Sequence, residues 1–332
     1  MQPLISVVLA GLVRLGAAFT TPGHVGDSPC AVEQAPAALL AAHRELAAAE
    51  KHHLLRRNET THTPPAIVVD VYVHVISMSE THFSHFSNNT IHEQIAFLNT
   101  YYKPGNISFV LKSASWTVNP QLSEGEDEQR MKLLHHKGDN RHLNIYYANH
   151  PRGPGIDASI SSWPSDMVGT PLGIEMDGIM IAAIWLYTDK QVVVHEVGHW
   201  FGLMHTFANG CIGNGDEIDD TPAHAGPSRG CSAMPPLDTC PGEPGNDPVH
   251  NPMNYIPDSC METFTPRQFE RMRSFWTKYR SQPMQRPSYP TELQPIQPVD
   301  KGGSLPFYSG PVNPILAELR CFPDENGKIE ER

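Results

Sequence analysis

His195-Glu196-Val197-Gly198-His199-Trp200-Phe201-Gly202-Leu203-Met204-His205 is the stretch on which the fold turns. Residues 189–194 ahead of it begin polar and end in three valines, a run suited to a buried helix. On that helix His195 and His199 stand at i and i+4, so both imidazoles leave one face and can share a metal ion. Glu196 lies about 100° round the helix from His195, within reach of a water on that ion. Gly202 can adopt a positive φ and reverse the chain, which brings His205 back as a third donor. Three histidines fill three tetrahedral positions and leave the fourth open, the pattern of a hydrolytic zinc centre. By contrast, His52, His53, His82, His85, His135 and His136 have no third partner at a defined spacing and read as solvated surface residues. His74 lies inside an apolar run and reads as packed.

Working outward toward the N-terminus, residues 67–76 are β-branched and predict a buried strand. Thr90-Ile91-His92-Glu93 has the form of a capping box. Behind it Ile91, Ile95, Leu98 and Tyr102 place one apolar stripe on a helix. Residues 107–118 predict a second strand, 126–136 a second helix stopped by Gly138, and 143–148 and 178–184 two further strands. Strands alternating with helices predict an α/β (α+β) layer with a helix-covered sheet. Past His205 this periodicity disappears until residues 266–279, where Phe269, Met272, Phe275 and Trp276 mark a last helix. The Gly-, Pro-, Asp- and Cys-rich chain between has too thin a core to hold without staples. Cys211, Cys231, Cys240 and Cys260 allow three pairings, and their spacing does not choose among them.

The ends of the chain address compartment and processing. Residues 4–18 are apolar and close on Gly16-Ala17-Ala18, which predicts a signal peptide over 1–18. Sequons at Asn58, Asn88 and Asn106 and a total of six cysteines agree with a secreted, extracellular protein. An Ala- and Glu-rich segment, helical over 37–53, ends at the dibasic pair Arg56-Arg57, so 19–57 reads as a pro-segment. The folded domain then spans 66–280, followed by a Pro-rich tail over 281–332. A net charge of -12 removes the electrostatic basis for nucleic-acid binding, and beyond the leader nothing seeks a membrane. Asp216, Glu217, Asp219 and Asp220 form either a calcium site or a solvated acidic loop.

The string 195–205, followed by Asn251-Pro252-Met253-Asn254-Tyr255, resembles the metzincin metallopeptidases, whose third histidine is followed by a Met-containing turn. Within that clan the chain is similar to the pappalysin family and its fungal and bacterial extracellular metalloproteases. Asp220-Thr221-Pro222, Asp258-Ser259-Cys260-Met261 and Phe264-Thr265-Pro266 add to the likeness, which spans roughly residues 67–273. The resemblance implies a twisted, mostly parallel sheet with the active-site helix above it and an irregular, disulfide-stapled C-terminal part. It implies a zinc endopeptidase acting on protein or peptide substrates, with Glu196 as general base and Tyr255 beside the developing oxyanion. Met253 would form the floor under the metal, and the cysteines would pair as Cys211–Cys240 and Cys231–Cys260. A substrate would extend along an edge strand such as 178–184. Cys30 stands either as a latency switch on the zinc or as a disulfide partner of Cys321. Two rival functions share these ligands: a binding protein without turnover, and an esterase or amidase acting on small substrates.

Overall fold

Ile67, Val69, Val71, Val73 and Val75 alternate along one strand and are all buried, which fixes β1 (Ile67–Ser77) at the middle of a sheet. The computed structural model describes residues 35–56, 64–81, 86–170, 172–228 and 236–284. β1 pairs in parallel with β2 (Ile107–Val118) on one side and with β3 (Leu143–Ala148) on the other. The β1–β2 register shifts between Val71 and Tyr72. β4 (Ile160–Ser161) and β5 (Ile179–Ala182) complete the order β2-β1-β3-β5-β4, with β5 parallel to β3 and β4 antiparallel to β5.

The helices are α1 (Ala37–Arg56), α2 (Asn88–Tyr102), α3 (Pro120–Ser123), α4 (Glu128–His135), α5 (Trp185–Thr188), α6 (Gln191–Trp200) and α7 (Pro266–Phe275). Ile91, Ile95, Leu98 and Tyr102 of α2 meet Val192, Val193, Val194 and Val197 of α6 over the sheet, forming the main core. Each such side chain taken out of water contributes about 1.5–3 kcal/mol. The Tyr102 hydroxyl donates to the Val194 carbonyl at 2.9 Å, which ties α2 to α6 without leaving a buried polar atom unmatched.

Three sequence expectations shift here. The cap of α2 is Ser87, not Thr90: the helix starts at Asn88, and the Ser87 hydroxyl accepts from the Thr90 N–H at 3.1 Å. Asn88 and Asn89 sit on its first turn, and Asn89 reaches Glu93 at 2.7 Å. α4 is shorter than 126–136, because Asp127 caps it and accepts from the Arg130 N–H at 2.9 Å. The last helix stays α-helical only to Phe275 and finishes as a π-helix, Trp276–Arg280.

That π turn carries Arg280 into the core. Its guanidinium holds Asp177 at 2.7 and 2.9 Å, donates to the Trp200 carbonyl at 3.2 Å and lies 3.6 Å over the Trp200 ring. Asp177 also accepts from Trp200 Nε1 at 3.1 Å. The end of the body is thus latched to the end of α6 and to the start of β5.

Candidate metal centre and active site

α6 is buried along its whole length, so His195, Glu196 and His199 face the interior of the molecule rather than open solvent. Gly202 has φ 94, and the turn it makes brings His205 back toward the helix. The Nε2 atoms of His195, His199 and His205 lie 3.1 Å from one another in all three pairs. His195 Nδ1 donates to the Pro252 carbonyl at 2.8 Å, and His199 Nδ1 to the Leu203 carbonyl at 2.7 Å. Those bonds fix the tautomers and leave the Nε2 lone pairs of both rings directed at a common point. Burial lowers the His195 pKa to about 4 and holds His199 and His205 well below the usual histidine range, so all three are neutral.

Bare nitrogens converging in a buried space repel one another unless a cation sits between them. The corners of a triangle of this size also lie within roughly 2 Å of a common point, the length of a Zn–N bond. The donor set therefore fits zinc. Among the described residues this is the one group of three or more His, Cys, Asp or Glu side chains arranged to hold a metal.

Glu196 is wholly buried on the same helix. Tyr255 is half-buried, its ring 4.9 Å from that of His205 and 5.7 Å from that of His195. Met253 is buried against Gly198, where a Cβ would run into its sulfur. Sequence reading missed the groups that hold these parts. Asn251 and Gln268 exchange amide hydrogen bonds at 2.7 and 3.0 Å, and Asn251 Oδ1 also accepts from the Met253 N–H at 2.9 Å. Trp163 stands edge-on to His199, with ring centroids 5.0 Å apart. Asp258 accepts from the Lys190 and Gln191 N–H groups at 3.0 and 2.6 Å and so caps α6, whose own N-cap residue, Lys190, supplies no side chain for this. Apart from the Asn251–Met253 bond, which is local, no local motif signals these contacts, because each joins residues well separated in the chain.

The remaining candidates fall as follows. Segment 178–184 is not an edge: β5 has β3 on one side and β4 on the other, and among the described residues the sheet ends at β4. The acidic residues disperse rather than converge. Asp216 accepts from Ile218 N and Thr221 Oγ1, Glu217 pairs with Arg44, and Asp220 accepts from Thr265 Oγ1 and Arg267 N. Cys211 and Cys240 form a disulfide, and Cys260 is disulfide-bonded as well. His74 is packed, bonded to Asn144 at 3.0 Å and Ser115 at 3.1 Å, and His135 and His136 are half-buried beside that cluster rather than solvated. Residues 1–18, Cys30, Asn58, His82, His85, Cys231, Cys321 and 285–332 lie outside the described residues. Among the described residues no helix is long and apolar enough to cross a membrane.

Known proteins share these features. The model of peptidase family M43, described as pregnancy-associated plasma protein-A, matches residues 131–277. An extracellular metalloprotease of Pyricularia oryzae is 40% identical over 224 residues, 65% of this chain and 77% of its own. One from Neurospora crassa is 37% identical over 239 residues, 70% of this chain and 83% of its own. The structure is similar to mature mirolysin of Tannerella forsythia in complex with a cleaved peptide. That match has a TM-score of 0.54 and 26% identity, covering 64% of this chain and 92% of that one. With three converging histidines, a Met-containing turn beneath them and relatives of this extent, the chain belongs to the M43 (pappalysin) family of metallopeptidases.

Proposed function

We propose that the protein is a secreted zinc endopeptidase in which His195, His199 and His205 hold the metal and Glu196 is the general base. The observation that carries this reading is the convergence of three neutral Nε2 atoms at 3.1 Å. When bound, zinc supplies a Lewis acid that polarises a carbonyl oxygen and lowers the pKa of a water toward 7. Glu196 takes the proton of the attacking water and delivers it to the leaving amine. Tyr255, its ring against His205, offers a hydroxyl to the oxyanion as charge develops there. Met253 packs under Gly198 and keeps the floor of the site dry. An extended substrate adds to the free side of β4, where backbone groups of Ile160 and Ser161 stand at the sheet's edge.

Secretion is supported by the apolar leader over 1–18, the disulfide and the extracellular relatives. Residues 66–280 form the catalytic unit of this proposal, and 281–332 a tail.

Glu196→Ala tests the chemistry. Zinc content measured by elemental analysis should stay at the wild-type value, while cleavage of a mixed peptide library falls by roughly 10²–10⁴-fold. Undiminished turnover in the zinc-loaded variant would remove Glu196 from the mechanism. Zinc-loaded wild-type protein that cuts no peptide would favour a binding protein instead.

A further inference from the structure

His195 and His199 are each held from behind: Nδ1 donates to a backbone carbonyl, which sets the tautomer and the plane of the ring. His205 is held differently. Its hydrogen-bond-range contacts are with the other two Nε2 atoms, and no carbonyl or side chain among the described residues accepts from its Nδ1.

What faces His205 is another ring. Phe207 lies flat on the imidazole, with centroids 4.6 Å apart and planes 11° from parallel. The chain folds tightly enough to allow this. The Ala208 N–H donates to the His205 carbonyl at 2.9 Å, and the Gly210 N–H to the Phe207 carbonyl at 3.0 Å. Thr206, between the two rings, is pinned as well. Its N–H donates to the Met253 carbonyl at 3.1 Å, and its hydroxyl lies 2.9 Å from Nε2 of the buried His224. Tyr255 and His224 brace Phe207 in turn, their rings 5.0 and 5.8 Å away at 70° and 88° to it.

Phe207 is half-buried and joins none of the buried apolar clusters that make up the core. The ring contacts it makes are those of the metal centre. Rotation of an imidazole about its Cβ–Cγ bond decides whether Nε2 faces the other ligands, and this torsion is broad when nothing restrains it. A bond at Nδ1 stops that rotation in His195 and His199. In His205 a flat contact over the ring face restrains it.

We propose that Phe207 is a positioning residue for the third zinc ligand: its ring, braced by Tyr255 and His224, does for His205 what backbone carbonyls do for His195 and His199. The proposal rests on the reading of His195, His199 and His205 as zinc ligands.

Two measurements on the full-length protein test it. Phe207→Leu removes the flat face but keeps an apolar side chain, whereas Phe207→Tyr keeps the ring. Zinc affinity from competition with a chromophoric chelator should fall roughly 10–100-fold in Phe207→Leu and stay near the wild-type value in Phe207→Tyr. The visible spectrum of the cobalt-substituted protein should shift in Phe207→Leu alone. A side chain serving only stability would lower the unfolding midpoint and leave both readouts unmoved, so folded Phe207→Leu with wild-type affinity and spectrum overturns the proposal. The second measurement uses wild-type protein and does not depend on how a variant folds. In magnetic resonance spectra of the zinc-free chain, the carbon-bound ring protons of His205 should lie upfield, shielded by the face of Phe207. Protons at the positions of a free imidazole would mean that the stack does not hold the ring, and would overturn the proposal too. Wild-type protein that takes up no zinc would overturn the metal reading itself, a failure separate from either of these.

Discussion

Gly198 and Gly202 show what single residues do to this site. The sequence reads Gly202 correctly as a reversal, because only a residue tolerant of positive φ lets His205 return within so short a span. Gly198 is opaque from sequence: a glycine inside a helix costs about 1 kcal/mol against alanine and has no local excuse. Its reason is Met253, whose sulfur occupies the space of a Cβ. Gly198→Ala should therefore destabilise by about 1–3 kcal/mol despite its better helix propensity, as overpacked cores do. Denaturant unfolding checks this, and a stabilised variant would show that Met253 moves aside freely. His205→Ala should weaken zinc binding sharply while leaving the helix intact, since two protein donors remain. Unchanged affinity by chelator competition would mean that His205 is not a ligand.

Among the elements, strands were the most legible. β2 and β3 have the bounds read from their apolar patterning, 107–118 and 143–148, because burial selects β-branched and aromatic residues residue by residue. Helix ends were less so, since a cap depends on which of several Ser, Thr or Asn residues stands just outside the first turn, as Ser87 does. The cap of α6 could not be read at all, coming from Asp258 in a loop far along the chain. Asp258→Ala should cost about 0.5–2 kcal/mol, the loss of a helix cap, read as a lower unfolding midpoint. Beside it burial and the Asp258 carboxylate push the Asp189 pKa up to about 8. The sign follows from proton binding: from about pH 4 to about pH 8 the folded chain keeps a proton that the unfolded chain has lost, so this group weakens the fold as pH rises. Asp189→Asn removes that dependence. The stability of the variant relative to wild type should grow between about pH 5 and about pH 8 and then level off. A constant difference in urea unfolding across that range would show that the two carboxyls do not share a proton.

At the scale of the whole molecule, the sequence disclosed a sheet-and-helix layer and the metal motif but neither of the long-range ties that close them. Arg280 lies one residue past the helix read over 266–279, and nothing in the local sequence marks it. Only the π turn brings it to Asp177, and both side chains end up buried. Arg280→Met should destabilise by about 3–5 kcal/mol, because Asp177 is left buried without its partner. Replacing both residues with apolar ones should cost much less, and equal costs in the single and double variants would show that the pair is not coupled. Arg271 makes the other tie, to an α1 that lies 228 residues earlier in the chain at His43. That separation has a meaning in time. A ribosome adds about 5–20 residues per second, so α1 waits on the order of 10–45 s for the side chain that clasps it. Helices in proteins draw most of their stability from tertiary packing, which α1 lacks at this contact during that wait. The Gly202 carbonyl, 2.7 Å from His43 Nε2, gains that partner only when α1 docks. The tie between the two ends of the body therefore closes only when synthesis of that body is nearly finished.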